Sequence, residues 1–251
     1  MPPTPDPEVT LAELSRRDGR TAVDSAISKG LAVVAGLGIL ISGMIIYALV
    51  RDTAGFLTGA DLSSLWGDTW RPRNDQFGLR APLTGTLSVV LIAVLIAGPV
   101  GLGAAIYLSE YANPLIWPVI KPIIEVLASI PSVVLGFFAV NFIAPDLVQR
   151  VFSDANRQNL LVAGLGVGLL CIPLMTSVTE DALRAVPNGL REASYGIGAR
   201  KITTVLRVVV PAAVSGMVAA LILTISRAIG ETMVVFLAAG GQPTSASSPL
   251  D

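Results

Sequence analysis

The chain has 251 residues, of which 53% are hydrophobic and 14% charged, with a mean hydropathy of +0.71. That charge density is well below the roughly one quarter typical of soluble domains, and the apolar residues fall in long uncharged runs, which excludes an ordinary soluble fold. A formal net charge of −1 leaves no general basic surface for nucleic acid, the single Cys171 excludes an internal disulfide, and the lack of histidine excludes imidazole proton relays and His-ligated metals.

Residues 1–29 are polar and carry both charge signs, and are expected to form a poorly ordered tail with a short helix near residues 11–17. Residues 30–50 carry no charge and are long enough to span a bilayer, which takes roughly 20 residues. Residues 51–81 read as a loop containing Trp66, Trp70 and Pro72. A second span is expected at 82–109, with small residues and Pro99 inside it, and a third at 116–144, interrupted near its start by Lys121 and Glu125. A short polar loop leads to a fourth span at 159–179. Residues 180–211 form the most basic loop, with Arg184, Arg191, Arg200, Lys201 and Arg207, and a fifth span is expected at 211–239.

The basic residues orient these spans. Arg16, Arg17, Arg20 and Lys29 lie in the tail, and the 180–211 loop is separated from them by an even number of spans. Both therefore lie on one side, the cytoplasm by the positive-inside rule. The 51–81 loop also carries basic residues, but its tryptophans suit a membrane–water interface, and it is placed outside.

The basic loop contains Glu192-Ala193-Ser194-Tyr195-Gly196-Ile197-Gly198 and ends in Val208-Val209-Val210-Pro211. Asn188 and Gly189 can start a short helix with Glu192 in its first turn, Gly198 permits a sharp turn, and Pro211 sits where a new helix can begin. Taken alone, such a loop also fits an amphipathic segment resting on lipid. The spacing resembles the EAA signature of ABC importer permeases, in which a Glu-Ala-Ala triplet precedes a glycine, an apolar residue and Leu-Pro. Ser194 replaces the second alanine, and Val208 and Val210 replace Ile and Leu, while the Gly and Pro positions match. The resemblance implies that Glu192, Ala193, Ser194, Gly198 and Pro211 couple the chain to a separate ATPase.

Three further segments narrow the resemblance. Ser226-Arg227-Ala228-Ile229-Gly230-Glu231-Thr232-Met233 and Ile130-Pro131-Ser132-Val133-Val134-Leu135-Gly136 are similar to segments of phosphate-specific ABC permeases. Trp66-Gly67-Asp68-Thr69-Trp70-Arg71-Pro72 resembles the outer loop of the C-type rather than the A-type subunit of the Pst system. The similarity runs over about residues 66–243. It implies an all-α integral membrane protein, a polytopic bundle of the type I ABC importer permease fold, with five spans visible and the family's C-terminal span missing. The permease core would be residues 82–251. The implied setting is a bacterial cytoplasmic membrane. The implied partners are an A-type permease subunit, two ATP-binding subunits that hold ATP and magnesium, an external phosphate-binding protein and membrane lipid, without nucleic acid.

Arg227 and Glu231 are four residues apart, so one helix would put both on one face. A charge near the bilayer centre costs roughly 2.5–3.5 kcal/mol on insertion scales, so such residues face the bundle interior. They form either a mutual ion pair or an anion path. In the second reading the guanidinium suits phosphate, and Glu231 accepts a hydrogen bond from the proton that phosphate retains and sulfate lacks. Glu125 is a third candidate on the substrate path, paired with Arg227 or a partner subunit, whereas interface snorkelling accounts for Lys121. Pro131 is expected to kink the third span, as a packing feature or a hinge. None of the three lysines follows a glycine, so no P-loop is present and no catalytic site is expected. Two alternatives stay open. One is a permease for another oxyanion such as sulfate or molybdate. The other is an ATP-independent secondary transporter, which an internal inverted repeat would favour; none is visible.

Overall fold

The computed structural model describes residues 17–59, 65–71, 74, 76–113, 115–241 and 250. It divides into two compact units, one ending at Leu62 and one starting at Ser63. The described part of the first unit is a single helix, α1, Arg17–Gly59. Its stretch Val23–Thr58 is apolar enough to cross a membrane, and its side chains lie exposed within the unit. The expected first span at 30–50 thus sits inside a 43-residue helix. Residues 17–29, expected in a disordered tail, are helical, while the short helix near residue 11 falls mostly outside the described residues.

The second unit begins with a small hairpin, β1 (Trp70–Arg71) and β2 (Gln76–Phe77), paired antiparallel with Trp70 opposite Phe77. The two rings meet edge to face at 6.1 Å. Helix α2, Arg80–Tyr111, follows, and its last turn, Tyr107–Tyr111, is π-wound. Thr84 and Thr86 return their hydroxyls to the Arg80 and Pro82 carbonyls, each at 2.8 Å. Hydroxyls that bond within their own helix can enter an apolar layer without an unsatisfied donor.

The expected third span is two helices. Helix α3, Trp117–Ala128, has 12 residues, about 18 Å, too short to cross. It ends at Ser129, and Pro131 takes an extended conformation (φ −57°, ψ 129°) before α4, Ser132–Val151. Pro131 has no N–H for the helical ladder and its ring clashes with the preceding turn, so the break falls there. Helix α4 is π-wound from Ala139 to Val148, a stretch that contains Pro145.

Helix α5, Leu160–Arg184, starts at Asn159, whose buried side chain accepts from the Val162 N–H at 2.7 Å. It is the best-buried helix of the described unit and runs parallel to α2. The two approach through small residues: a Cβ at Gly101 would lie 2.7 Å from Met175 Cβ, and one at Gly164 would lie 2.6 Å from Ile92 Cβ. In a membrane, where lipid is as apolar as leucine, such close backbone approach supplies the packing.

The expected loop at 180–211 is helical over most of its length. Helix α5 reaches Arg184, α6 covers Asn188–Gly196, and α7 covers Lys201–Ala212. The fifth span is apportioned differently from the expectation. Helix α7 bends by 70° into α8, Val214–Ile229, and a break at Gly230–Thr232 precedes α9, Met233–Ala239. Pro211 lies at the bend, inside a helix that began ten residues earlier. It removes the donor that would have met the Arg207 carbonyl. Four helices among the described residues are long and apolar enough to cross a membrane, or five if the bent pair is one span.

Candidate functional site

The sequence candidates gather at two depths. The first group lies near the middle of the bundle, where α8 gives way to α9. Cys171, near the midpoint of α5, is buried beside α8, its Sγ 4.0 Å from the Thr224 carbonyl. Arg227 stands in the last turn of α8 and is exposed. Glu231 lies beyond the end of that helix, so the expectation that the two share one helical face is not met. Gly230 caps α8, and the chain leaves helical geometry at Glu231. The Glu231 carboxylate turns forward instead and accepts from the Val234 N–H at 3.3 Å. A carboxylate at the start of a helix satisfies an orphan donor and suits the dipole. Among the described residues Arg227 and Glu231 form no ion pair, with each other or with any other group. Glu125, on the exposed side of α3, forms none either and is not paired with Arg227.

The second group lies at the other ends of α2 and α5, where the 180–211 segment folds. Helix α6 starts at Asn188 as expected, but Glu192 is its fifth residue, past the first turn. Glu192 and Ala193 are exposed. Ser194 is buried, and its hydroxyl is 2.9 Å from that of Thr204 in α7. Gly198 has φ +83° and open space around it, so the turn out of α6 uses the left-handed region that glycine enters freely. Beside it Ile197 is 87% exposed. The structure thus presents Glu192, Ala193 and Gly198 outward, tucks Ser194 inward and puts Pro211 at the far bend.

Sequence reasoning missed the charges that hold this end together. The Glu180 side chain is 1% exposed and meets Lys121 at 2.7 Å, the Trp117 indole N–H at 2.9 Å and Arg184. Lys121 also bonds Asp181, and the Arg184 guanidinium stacks over the Trp117 ring at 4.0 Å. Lys121 is therefore a clamp between α3 and α5, not a snorkelling side chain. The spacing of Glu180 and Arg184, four apart, was the available signal. A second ion pair joins Arg191 of α6 to Glu110 in the π turn of α2, at 2.7 Å. These residues are 81 apart in sequence, and no local pattern announces their contact.

The family model described as binding-protein-dependent transport system inner membrane component matches residues 97–249. The probable ABC transporter permease protein YqgH of Bacillus subtilis is 34% identical, over 82% of this chain and 68% of its own length. A phosphate transport system permease protein PstC of Mesorhizobium japonicum is 34% identical over 93% of this chain and 78% of its own. A phosphate transport system permease protein PstA 1 of Mycobacterium tuberculosis is 35% identical over 66% of this chain and 53% of its own.

Proposed function

The chain belongs to the family of binding-protein-dependent transport system inner membrane components, and on that premise we propose that it is the C-type permease subunit of an ATP-driven importer of inorganic phosphate. It works as a multi-pass protein of a bacterial cytoplasmic membrane and has no catalytic site of its own. ATP and magnesium are held by two separate ATP-binding subunits, and an A-type permease and an external phosphate-binding protein complete the assembly. The end that carries α6 faces the cytoplasm, as does the amino terminus, and the β1–β2 hairpin faces outside. Three features support this reading: the distribution of basic residues, the outward presentation of Glu192, Ala193 and Gly198 on a short helix, and the wider cover given by the PstC relative than by the PstA relative.

The observation that carries the phosphate reading is Arg227. It is a guanidinium at the depth of the apolar layer, exposed on this chain, without a counter-ion among the described residues. An uncompensated charge there is costly. Its place is accounted for if a second permease covers that face and a passing anion meets the planar donors. Glu231, held by the Val234 N–H through one oxygen, keeps the other oxygen for a proton that phosphate can donate.

Uptake of radiolabelled phosphate by the assembled transporter in vesicles tests this. Arg227→Gln should assemble normally, because no ion pair is broken, and should lose most uptake. Arg227→Gln/Glu231→Gln should assemble equally well and recover nothing. Near-normal uptake by either variant would sink the proposal that Arg227 handles the anion. Sulfate or molybdate uptake in place of phosphate would move the substrate to another oxyanion.

A further inference from the structure

A short helix that receives movement from an ATPase must be joined stiffly to the membrane helices, or its movement is lost in slack. Helix α6 has little apolar packing to supply that stiffness. Its nine residues are mostly polar, and Ser194 alone among them is buried. Polar bonds attach it instead, and they converge on Arg191. The guanidinium reaches Glu110 through Nη2 at 2.7 Å and through Nε at 3.3 and 3.4 Å. It also donates to the Leu183 and Val186 carbonyls, at 2.9 and 2.6 Å, and to Asn188 Oδ1 at 3.3 Å. One side chain on α6 thus holds the end of α2 and the end of α5 together.

The bond is sheltered. The Glu110 side chain is 5% exposed and that of Arg191 14% exposed. A charge pair removed from water is strongly orientation-dependent, and a planar guanidinium fixes direction as well as distance. The same turn of α2 is gripped a second time. Tyr111, next to Glu110, lies under the Lys201 ammonium at 4.9 Å, and Lys201 opens α7 on the far side of α6. Residues 110 and 111 therefore touch the chain both within α6 and just after it. They belong to a π turn, a local winding that recurs at functional sites.

We propose that the Glu110–Arg191 pair is the linkage through which movement of α6 reaches α2 and α5, which makes both residues positioning residues for ATP-driven transport. The proposal rests on the importer reading above. Glu110 and Arg191 touch no substrate; they fix where the ends of the two best-packed membrane helices sit when α6 moves. A staple needed only for folding would use the same bonds, so the test must read coupling and not stability.

The experiment uses the assembled transporter in vesicles, with ATP hydrolysis and inorganic phosphate uptake measured on the same preparation. Glu110→Gln and Arg191→Gln should keep the ATPase bound and hydrolysing, while phosphate moved per ATP falls about tenfold, within the range of mutations along a coupling connection. Arg191→Lys keeps the charge without the planar fork and should retain an intermediate ratio. The double variant Glu110→Gln/Arg191→Gln should be no worse than Arg191→Gln alone, because that substitution already removes the bond to Glu110. An unchanged ratio in both single variants would overturn the linkage, as would losses that multiply in the double variant. Failure of Glu110→Gln to assemble would assign the pair to folding and overturn it equally. Wild-type vesicles that hydrolyse ATP and move no phosphate would instead overturn the substrate reading, and the same ratio would then be read with sulfate.

Discussion

Glu180 and Glu110, at the α6 end of the bundle, are almost sealed from solvent, and cations from other elements meet both. Arg227 and Glu231, at mid-depth, have no ionic partner among the described residues, and Arg227 is exposed. The contrast runs against cost, because a charge at the bilayer centre is more expensive than one near its edge. Among the described residues, compensation is thus complete where charges hold helices together and absent where the expense is greatest. Under the proposed function a neighbouring subunit and a passing anion would meet the mid-depth charges. The end charges are explained by the chain alone.

This comparison can be broken by removing one carboxylate from each region. Glu180→Ala should cost the most, about 3 kcal/mol, because it removes the buried carboxylate that Lys121 and Arg184 share, leaves Lys121 with Asp181 alone and frees the Trp117 N–H. A large fall in the apparent melting temperature of the purified protein is the expected reading, and a change within error would show that the clamp carries no stability.

Gly198→Val should rank next, at about 1–2 kcal/mol, since a β-branched residue at φ +83° is strained although the space around it is open. Insertion should survive and co-purification of the ATPase should drop; wild-type recovery would remove Gly198 from the docking surface. Ser194→Ala leaves the Thr204 hydroxyl without its partner inside the α6–α7 junction and should cost about 1 kcal/mol. Proteolysis at the α6 flanks should rise with it, and an unchanged digestion pattern would count against a role for that bond in seating α6.

The smallest effect should be that of Glu231→Ala. It loses one long hydrogen bond to Val234 and should destabilise by less than about 1 kcal/mol, yet reduce phosphate uptake. A loss as large as that of Glu180→Ala would erase the difference between the two regions and make Glu231 a structural group.

Much was legible in the sequence because it is written locally. Long uncharged runs declare membrane helices through the cost of a bare polar group in lipid. Pro131 and Gly198 declare a break and a turn through their own backbone geometry. Asn188 marks the start of α6, and the spacing from Glu192 to Pro211 marks the family. Only the tertiary structure decided the rest. The local sequence puts Arg227 and Glu231 on one face, but the helix ends between them, because Glu231 turns to cap the helix that packs against α4 and α5. Lys121 looked like an interface anchor until α5 brought Glu180 and Asp181 to it. Glu110 and Arg191 carry no mutual signal at all. Periodicity, caps and breakers act over a few residues, whereas an ion pair between distant segments exists only once the helices between them have packed and brought the two charges within reach.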